Sequence, residues 1–592
     1  MALTERLLIT TALEETWGNK GEQVYFLGEW CKHYNRKEAW SKLDARTQAH
    51  HWNDRVKLKK DHDCLKDLYE RTIVDISRSL NEFHNLDKPD LYWRIIVGPW
   101  LFSYIPVLFD RWEVIRLANI NLKEIKTYQI ANFEMQLIPF DYSSFSINLE
   151  PRDLWNHMIF LRILSNYYAE KLKIVDLKYD KSQYLKNPTT NTQKKSLKNK
   201  LASILDKIAF ILSGKNQKIM FLNSYFSLTR LSMLNLKLKS MPRLYLDTFT
   251  FEKPSVDIAK EFRQQKILKE TKSSFEEFLS QSILKDIPFV HLEAFPYLLS
   301  QAKKIKENPS IVLTAISHWN DEVFKVWIAE KAPRKTRLFI TDHGSTFPAL
   351  FDFFDHDESI CEKKITWFRK THPKHICLPP SKINLINIKS EKKYCSVIGM
   401  DFHRYVPRVT AFAHVEQNIV CLENTITFCR ALDPIVFAST KVRPKPDSFH
   451  LGWDTEKRYA DALGKEKIFQ NQSYYSVLKK SKLIVCTYAD TTYSEALATG
   501  LPAILVHRPE FFEKIPEAKD LIQRMENANM IFSDPLKAAL HVNSVWDHID
   551  DWWNEKQVVE VREFFFENAL HIHDNWYKEW ATFLKSELKK SN

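Results

Sequence analysis

A histidine at the end of an apolar run is the side chain in this sequence best placed for proton transfer. His343 follows Leu338–Ile340, a run that predicts a buried strand. A neutral imidazole there could act as a general base, and a protonated one could contact a phosphate. Gly344 would let the backbone approach a ligand closely. A histidine that caps the next helix or hydrogen-bonds a carbonyl group is the alternative, and the residues alone leave both interpretations open.

A group of polar residues follows a second apolar run, Leu483–Cys486. Asp490, Thr491 and Thr492 precede a predicted helix, so their side chains and the helix N-terminus could bind an anion such as a phosphate. Thr492 and Glu495 also match a T-x-x-E capping box, which needs no ligand. The pattern predicts either a phosphate-binding helix start or a capped helix.

Carboxylates follow two strands near the amino terminus. Glu14 and Glu15 come after the predicted strand Leu7–Ala12, and Glu29 comes after Val24–Leu27. Carboxylates at neighbouring strand ends could act as general bases or bind sugar hydroxyls. They could equally stabilise the first turn of a helix through its dipole, and the pattern favours neither interpretation.

A basic segment with prolines, Lys441–Pro446, follows the predicted strand Ile435–Phe437. Lys441 and Arg443 could neutralise a phosphate, because a guanidinium group offers two parallel hydrogen bonds to phosphate oxygens. A basic surface loop is an equally good interpretation. The sequence has no Walker A, G-x-G-x-x-G, H-E-x-x-H or G-x-S-x-G motif, which argues against ATPases, dehydrogenases, zinc proteases and serine hydrolases. Metal-ligand spacing is also missing.

Strands and helices alternate along most of the chain, which predicts an α/β fold with parallel sheets covered by helices. The 592 residues are too many for one core. We predict two doubly wound Rossmann-like domains, residues 1–385 and 386–555, with a linker at 370–389 and a C-terminal helical tail at 556–592. Ligand-binding groups then gather where the carboxyl ends of strands from the two domains face each other.

The charge of the chain is concentrated in one segment. The net charge is +12, and residues 171–218 hold twelve lysines against three aspartates. The rest of the chain is close to neutral, which argues against a nucleic-acid partner. We predict a lysine-rich helical or loop insertion at about 174–216, which either is simply a solvated surface or is attracted weakly to anionic lipid headgroups.

The sequence also bears on cellular location. Eight cysteines without a C-x-x-C pair favour a reducing compartment, and the amino terminus has no long apolar region of a signal peptide. Ile95–Phe109 is apolar but too short for a helix that spans a membrane, so we predict a buried helix kinked near Pro106. We therefore expect a cytoplasmic protein with, at most, peripheral contact at the inner face of the membrane.

Several motifs together resemble a bacterial family of transferases from gene clusters for O-antigen and other surface carbohydrates. The motifs are TALEETW (Thr11–Trp17), FLGEWC (Phe26–Cys31), YWRIIVGPWL (Tyr92–Leu101), LFDRW (Leu108–Trp112), DEVFKVWIAEK (Asp321–Lys331), DHG (Asp342–Gly344), LGWDTEKRY (Leu451–Tyr459) and TTYSEALATGLPAIL (Thr491–Leu505). This resemblance implies a GT-B-like glycosyltransferase that binds a nucleotide sugar in its second domain and needs neither a metal ion nor a cofactor.

The second domain is also distantly similar to capsule and sialyl-type transferases that use CMP-activated sugars. In those enzymes a basic-proline element and a Ser/Thr pair hold the nucleotide phosphate, and Arg443-Pro444 and Thr491–Thr492 stand at comparable places here. This chain has Arg-Pro where they have His-Pro. Around His343 it has Asp-His-Gly-Ser, where the family tends to have Gln-His-Gly-Gly.

The sequence thus predicts a glycosyltransferase that moves a sugar from a CMP- or nucleoside-diphosphate-activated donor to a glycan or lipid-linked acceptor of a bacterial surface polysaccharide. The donor would be bound by Lys441, Arg443, Asp490, Thr491, Thr492, Glu495 and Gly344. His343 or one of Glu14, Glu15 and Glu29 would activate the acceptor. Two alternatives stay open: a polyol-phosphate transferase of the teichoic-acid type, and a non-catalytic sugar-nucleotide-binding or scaffold protein of an envelope pathway.

Overall fold

The computed structural model describes residues 6–18, 21–130, 137–177 and 218–590, apart from short gaps at 244, 246–247, 250, 252, 333–335, 345–346, 353–354, 369–371, 385 and 447–449. Only the first four residues of the predicted lysine-rich insertion at 174–216 are described, and they lie in a strand. The rest of that insertion lies outside the described residues.

Three five-stranded sheets form the centre of the described structure, and every strand pair in them is parallel. Most of their central strands are runs of Val, Ile, Leu and Phe, as expected where helices cover both faces of a sheet. Sheet A contains β1 Arg6–Ile9, β2 Val24–Phe26, β3 Ala45–Thr47, β4 Ile125–Ile130 and β5 Leu172–Leu177. Sheet B contains β6 Ile219–Leu222, β7 Ile311–Thr314, β8 Arg337–Thr341, β9 Lys363–Thr366 and β10 His375–Cys377. Sheet C contains β11 Tyr394–Ile398, β12 Thr440–Arg443, β13 Ser481–Cys486, β14 Ala503–Val506 and β15 Ile531–Phe532.

Strand order shows where each sheet can form a ligand crevice. Sheet A has the order β3-β2-β1-β4-β5 and sheet C the order β12-β11-β13-β14-β15, so each reverses its winding once. Sheet B has the order β10-β9-β8-β7-β6 and does not reverse. In open parallel sheets, ligands bind at the carboxyl ends of the strands beside the reversal. In sheet C that place lies between the segments that follow β11 and β13.

The predicted fold class, α/β with parallel Rossmann-like sheets, is confirmed. The sequence assigned a single sheet to residues 1–385, whereas the structure has two sheets there, A and B. One continuous hydrophobic core contains both Ile9 of sheet A and Ile340 of sheet B. The lysine-rich segment 171–218 runs from β5, the last strand of sheet A, to β6, the first strand of sheet B, so the segment interpreted as an insertion lies at the boundary between the two sheets.

Helices pack on the sheets throughout the chain. Those associated with sheet A are α1 Lys37–Trp40, α2 Arg55–His84, α3 Asp90–Ile96, α4 Gly98–Asn121, α5 Tyr142–Ser144 and α6 Asp153–Tyr167. Those between β6 and β10 are α7 Leu228–Leu238, α8 Ser274–Asp286, α9 Phe295–Lys303, α10 Ser317–Asn320, α11 Glu322–Lys331 and α12 His356–Ile360. The remainder are α13 Glu416–Arg430, α14 Pro434–Ala438, α15 Thr455–Leu463, α16 Tyr474–Leu478, α17 Thr491–Leu497, α18 Lys519–Asn527, α19 Pro535–Val545, α20 Ile549–Trp553, α21 Lys556–Phe565 and α22 Trp576–Lys590.

Two predicted elements are wrong. The predicted strand Ile435–Phe437 is helix α14, because Pro434 is pre-organised for a first helical turn, and the strand is β12, a few residues later. The predicted linker 370–389 contains strand β10, which lies at the edge of sheet B and pairs only with β9. A three-residue edge strand is too short to show a clear pattern in the sequence.

The apolar stretch Ile95–Phe109 is buried inside the protein, apart from partly exposed Phe102 and Phe109. No single helix of the described residues is long and apolar enough to cross a membrane. Helices α3 and α4 would meet that test together, but they are bent by 72° at the break between them. The bend lies at Val97 rather than at Pro106, because Gly98 and Pro99 begin a new helix and Pro106 stays inside it.

The C-terminal tail crosses from sheet C to sheet B. Leu570 belongs to the core of sheet C, and the chain then turns at His571, whose φ is +47°. Helix α22 follows and packs on sheet B, where Trp580 and Leu584 share a core with Phe339. The predicted helical tail is therefore two helices with a break at His571.

Candidate functional site

A cavity of about 610 Å³ lies where the carboxyl ends of sheets B and C face each other. Sheet B contributes residues that follow β7 and β8, among them Trp319 and His343. Sheet C contributes residues that follow β11 and β13, among them His403 and Thr491. The cavity therefore lies at the winding reversal of sheet C, the place where an open parallel sheet binds its ligand.

The loops that follow β8 and β13 approach each other closely at Gly344 and Thr491. A Cβ atom on Gly344 would lie 2.9 Å from Oγ1 of Thr491, closer than real side-chain contacts allow. Glycine therefore permits the loop after β8 to approach the start of α17. Both residues line the cavity, as do Asp490 and His343, so four of the predicted site residues meet here.

His343 stacks on an aromatic ring. The ring of Tyr225 lies 5.4 Å from the imidazole, centroid to centroid, and the planes differ by 10°. Tyr225 and Asn223 both have left-handed backbones, with φ of +61° and +45°, a strained conformation that is common at functional sites. Burial lowers the pKa of His343 to about 4. The imidazole is therefore neutral at pH 7, which favours the role of proton acceptor over that of a cation for phosphate.

Two carboxyl groups beside His343 differ in their environments. Burial raises the pKa of Asp342 to about 6. Burial also acts to raise the pKa of Asp357, but His318, Lys364 and His356 together outweigh it and hold that pKa below its usual value. Oδ1 of Asp357 lies 2.8 Å from Nε2 of His318 and accepts the indole N–H of Trp319 at 3.0 Å. Asp357 is thus a fixed anion, whereas Asp342 titrates near neutral pH.

Helix α17 begins at Thr491, two residues earlier than a capping box at Thr492 requires. Asp490 is the N-cap residue, and its side chain forms no capping hydrogen bond. Glu495 forms an ion pair with Lys382 at 3.3 Å, and the carbonyl of Thr492 accepts the hydroxyl of Tyr474 at 2.7 Å. The predicted capping box is therefore wrong. Thr492 and Glu495 do not line the cavity, although Lys382 does.

Lys441 and Arg443 lie outside the cavity. The ammonium group of Lys441 lies over the ring of Tyr394, 5.5 Å from its centroid. Nε of Arg443 donates to the carbonyl of Gln472 at 3.3 Å. Both residues belong to β12, an edge strand of sheet C away from the winding reversal. Lys445, beyond the end of β12, lines the cavity instead.

The glutamates predicted as bases also lie elsewhere. Arg36 donates to Glu14 at 2.7 Å, and Lys32 donates to Glu29 at 2.7 Å. Burial raises the pKa of Glu15. All three glutamates follow strands of sheet A, and none of them lines the cavity between sheets B and C. The prediction placed them near His343 because it assumed one sheet where there are two.

Some residues that line the cavity were not predicted. Arg408 and His403 belong to the segment Phe402–Arg408, which follows β11 at the winding reversal. A basic, aromatic segment after a buried strand and Gly399 was a signal that could have identified them. Glu150 also lines the cavity, but it follows no strand or motif, so the sequence held no comparable signal.

Three clusters in the described part of the chain could hold a metal ion, and none of them lines this cavity: His50, His51 and Asp110; Glu358, His372 and His375; and His571, His573 and Glu579. In the first, both imidazoles lie within hydrogen-bonding distance of Asp110, at 2.7 and 3.0 Å. In the third, both histidines lie within 3.0 Å of Glu579. Hydrogen bonds account for both of these arrangements.

The cations in the cavity wall could bind phosphate groups directly. Lys382, Arg408 and Lys445 line it, and Thr491 adds a hydroxyl group at the start of α17. Such an arrangement can neutralise a phosphorylated leaving group, while the neutral imidazole and the carboxyl groups can transfer protons.

Comparison with solved structures gives weak similarities. A point mutant of TarM from Staphylococcus aureus, in complex with fondaparinux, α-GlcNAc-glycerol and UDP, is 10% identical, with a TM-score of 0.33 over 49% of this chain and 59% of TarM. The S. aureus MnaA–UDP structure is 10% identical, with a TM-score of 0.34 over 63% of this chain and 97% of MnaA. Anabaena HepE with UDP and glucose is 10% identical, with a TM-score of 0.34 over 63% of this chain and 100% of HepE. Comparison with curated proteins gives no match.

Comparison with protein families gives a match along nearly the whole chain. The model described as LIC12162 family transferase matches residues 6–584. That range includes all three sheets and the cavity between sheets B and C. The chain therefore belongs to the LIC12162 family of transferases.

Proposed function

We propose that this transferase is a glycosyltransferase that moves a sugar from a nucleotide-activated donor to a glycan or lipid-linked acceptor in bacterial surface-polysaccharide synthesis. One observation carries the proposal: the cavity joins a hydroxyl- and cation-bearing crevice of sheet C to a histidine and carboxyl groups of sheet B. Its size, about 610 Å³, is within the range of pockets that hold small ligands.

The donor would bind on the side of sheet C. Thr491 and Lys445 follow strands of that sheet, and Lys382, which also lines the cavity, pairs with Glu495 of the helix that begins at Thr491. Together with Arg408, these groups supply the positive charge that a departing nucleotide phosphate requires. In this proposal Lys441 and Arg443 take no part in phosphate binding.

The acceptor would enter from the side of sheets A and B. His343, held against Tyr225, would orient the acceptor hydroxyl by a hydrogen bond as a neutral imidazole. Three lysine and arginine side chains in the wall can neutralise phosphate, so we also propose that the reaction needs no metal ion. Transfer should then continue at an unchanged rate in excess EDTA.

Nucleotide binding tests the proposal most simply. CMP, UDP, GDP and their sugars would be titrated into the purified protein while its melting temperature is recorded. We expect at least one of them to raise the melting temperature, since a ligand that binds only the folded state stabilises it. If no nucleotide or nucleotide sugar raises it at millimolar concentration, the proposal is wrong.

A further inference from the structure

Glu150 lies in the wall of the cavity at an unusual point of the backbone. It directly follows a π-helical turn, Phe145–Leu149. Phe145, Ser146 and Ile147 of this turn line the same cavity. Wide turns of this kind are rare and are frequently found at functional sites. The turn thus places Phe145, Ser146, Ile147 and Glu150 in the part of the cavity wall where an acceptor would bind.

The surroundings of Glu150 hold it in one position. Arg111 donates from Nη2 to Oε1 of Glu150 at 3.0 Å, and Asn156 donates to the Glu150 backbone carbonyl at 2.6 Å. Arg111 also donates from Nε to Asn156 at 2.8 Å, which closes the network. Glu150 is 1% exposed. A carboxyl group fixed in this way needs little reorganisation before a reaction.

The second carboxyl oxygen of Glu150 makes no hydrogen bond to the described part of the protein. This oxygen, Oε2, is buried. Buried polar atoms are nearly always hydrogen-bonded, so an exception in a cavity wall suggests that a ligand supplies the partner.

The positive charge of Arg111 lowers the pKa of Glu150 but does not keep its carboxyl group ionised. The charge of Arg111 is already matched by Asp110, whose Oδ2 accepts from Nη1 at 2.7 Å. Asp110 also acts on the Glu150 carboxyl directly and raises its pKa, whereas Arg408 lowers it. The hydroxyl of Tyr142 is a further neighbouring group. Burial outweighs both arginines and raises the pKa of Glu150 to about 8. A base with such a pKa is well matched to proton transfer near neutral pH.

We propose that Glu150 is the general base that removes the proton from the acceptor hydroxyl, an inference that rests on the proposed function. The acceptor oxygen forms a bond to the anomeric carbon of the donor, and its proton passes to Oε2 of Glu150. The bond between the anomeric carbon and the phosphate oxygen breaks, and its electron pair leaves with the nucleotide. Without an acceptor, water takes the place of the hydroxyl and the donor is hydrolysed by the same step.

His343 and Asp342 line the same cavity, and their pKa values differ from that of Glu150. Burial keeps the pKa of His343 near 4, which makes the imidazole a weak base. Asp342, with a pKa of about 6, would be ionised at most working pH values. Dependence of the rate on pH therefore separates Glu150 from Asp342.

The experiment uses the nucleotide sugar that raises the melting temperature most. Release of its nucleotide by hydrolysis would be measured between pH 5.5 and 9.5 for the unaltered protein, Glu150→Gln, Glu150→Asp and Asp342→Asn. We expect the rate of the unaltered protein to rise with pH up to about 8. Glu150→Gln should lower the maximal rate by about 100-fold or more and remove this rise, and Glu150→Asp should retain part of it. Asp342→Asn should keep the rise.

Binding and folding controls distinguish the outcomes. Glutamine resembles a protonated carboxyl group, so Glu150→Gln should fold and keep the melting-temperature shift with nucleotide. Unchanged hydrolysis and an unchanged pH profile in Glu150→Gln would overturn the role of Glu150 and leave the proposed function intact. The role of Glu150 would also be overturned if Asp342→Asn, rather than Glu150→Gln, removed the rise of the hydrolysis rate with pH. Absence of any nucleotide-dependent shift in the unaltered protein would contradict both proposals.

Discussion

At the scale of single residues, His343 stabilises the protein in a way that depends on pH. Burial lowers its pKa from 6.5 to about 4. Between these two pH values the unfolded chain therefore binds a proton that the folded chain does not bind. The contribution of His343 is complete above pH 6.5 and is lost as the pH falls toward 4. We expect the unaltered protein to lose about 1–2 kcal/mol more than His343→Gln between pH 7.5 and pH 5. Urea unfolding at both pH values measures this, and equal losses would contradict the neutral imidazole.

Gly344→Ala tests the close approach of the two loops. The added Cβ would lie 2.9 Å from Oγ1 of Thr491, so either the loop or the hydroxyl must move. We expect the affinity for nucleotide to fall by about 10-fold or more, which corresponds to about 1.4 kcal/mol. Calorimetric titration measures the affinity, and the melting temperature without nucleotide serves as the folding control. An unchanged affinity would show that Thr491 does not contact the ligand.

Four of the residues that the sequence singled out line the cavity, and all four follow central strands. His343, Gly344, Asp490 and Thr491 were identified because a buried apolar run delivers its next residues to the ligand edge of a parallel sheet. The same reasoning led to Arg443, but β12 is an edge strand, and strand order cannot be read from a single sequence.

At the scale of elements, helix α22 is the part of the tail that stabilises sheet B. Trp580 is fully buried, and its indole N–H donates to the carbonyl of Pro379 at 2.8 Å. We expect Trp580→Ala to lower the free energy of unfolding by about 3–5 kcal/mol, because it leaves a cavity and an unpaired carbonyl. Lys578→Ala, at an exposed position of the same helix, is the matched control. Urea unfolding of the two variants checks this, and equal stabilities would contradict the packing.

The turn before α22 responds to pH in the opposite direction from His343. A hydrogen bond to Glu579 raises the pKa of His571 above 6.5. This contribution is therefore complete below pH 6.5 and is lost as the pH rises through the raised pKa. We expect the melting temperature of the unaltered protein, relative to His571→Gln, to be higher at pH 6 than at pH 8.5. A difference that does not change with pH would contradict the ion pair.

Strands were predicted correctly where the apolar sequence pattern agreed with the burial of the segment in the folded protein. Strands β8 and β13 were found because their apolar runs are buried on both faces of a sheet. Helix α14 was taken for a strand because Ile435, Val436 and Phe437 favour strands. Pro434 and the short distance to β12 decide the structure there.

At the scale of the whole molecule, an ion pair connects sheet A to sheet C. Arg404, in the segment after β11, donates to Asp153 of α6 at 2.8 Å, and Tyr405 donates to the same carboxylate at 2.6 Å. Arg404 is 2% exposed. We expect Asp153→Ala to cost about 3–5 kcal/mol, because it leaves a buried charge unpaired.

A second substitution tests that explanation. Replacing both partners, Asp153→Leu with Arg404→Met, should recover a large part of the lost stability, since apolar residues of similar volume often substitute for a buried ion pair. Urea unfolding of the single and double variants gives the comparison. A double variant no more stable than Asp153→Ala would show that lost packing, rather than the unpaired charge, causes the effect.

The number of sheets was not predicted, because the lysine-rich segment 171–218 between sheets A and B was interpreted as an insertion within one domain. Both sheets of the first half alternate strands with helices, and one core joins them, so the same pattern fits one sheet or two. The error had a direct consequence for the site: Glu14, Glu15 and Glu29 follow strands of sheet A and were placed with His343 of sheet B. The cavity itself was predicted correctly as a meeting of strand ends, because that rule holds for any pair of facing parallel sheets.

The most direct test of the central claim, that the cavity between sheets B and C binds the nucleotide of the donor, compares two substitutions. Thr491 lines this cavity, and Arg443 lies outside it on β12. Calorimetric titration with the stabilising nucleotide would be performed on the unaltered protein, Thr491→Val and Arg443→Ala. The structure predicts that Thr491→Val weakens binding by about 10-fold or more, whereas Arg443→Ala binds as the unaltered protein does. Loss of binding in Arg443→Ala together with normal binding in Thr491→Val would contradict it.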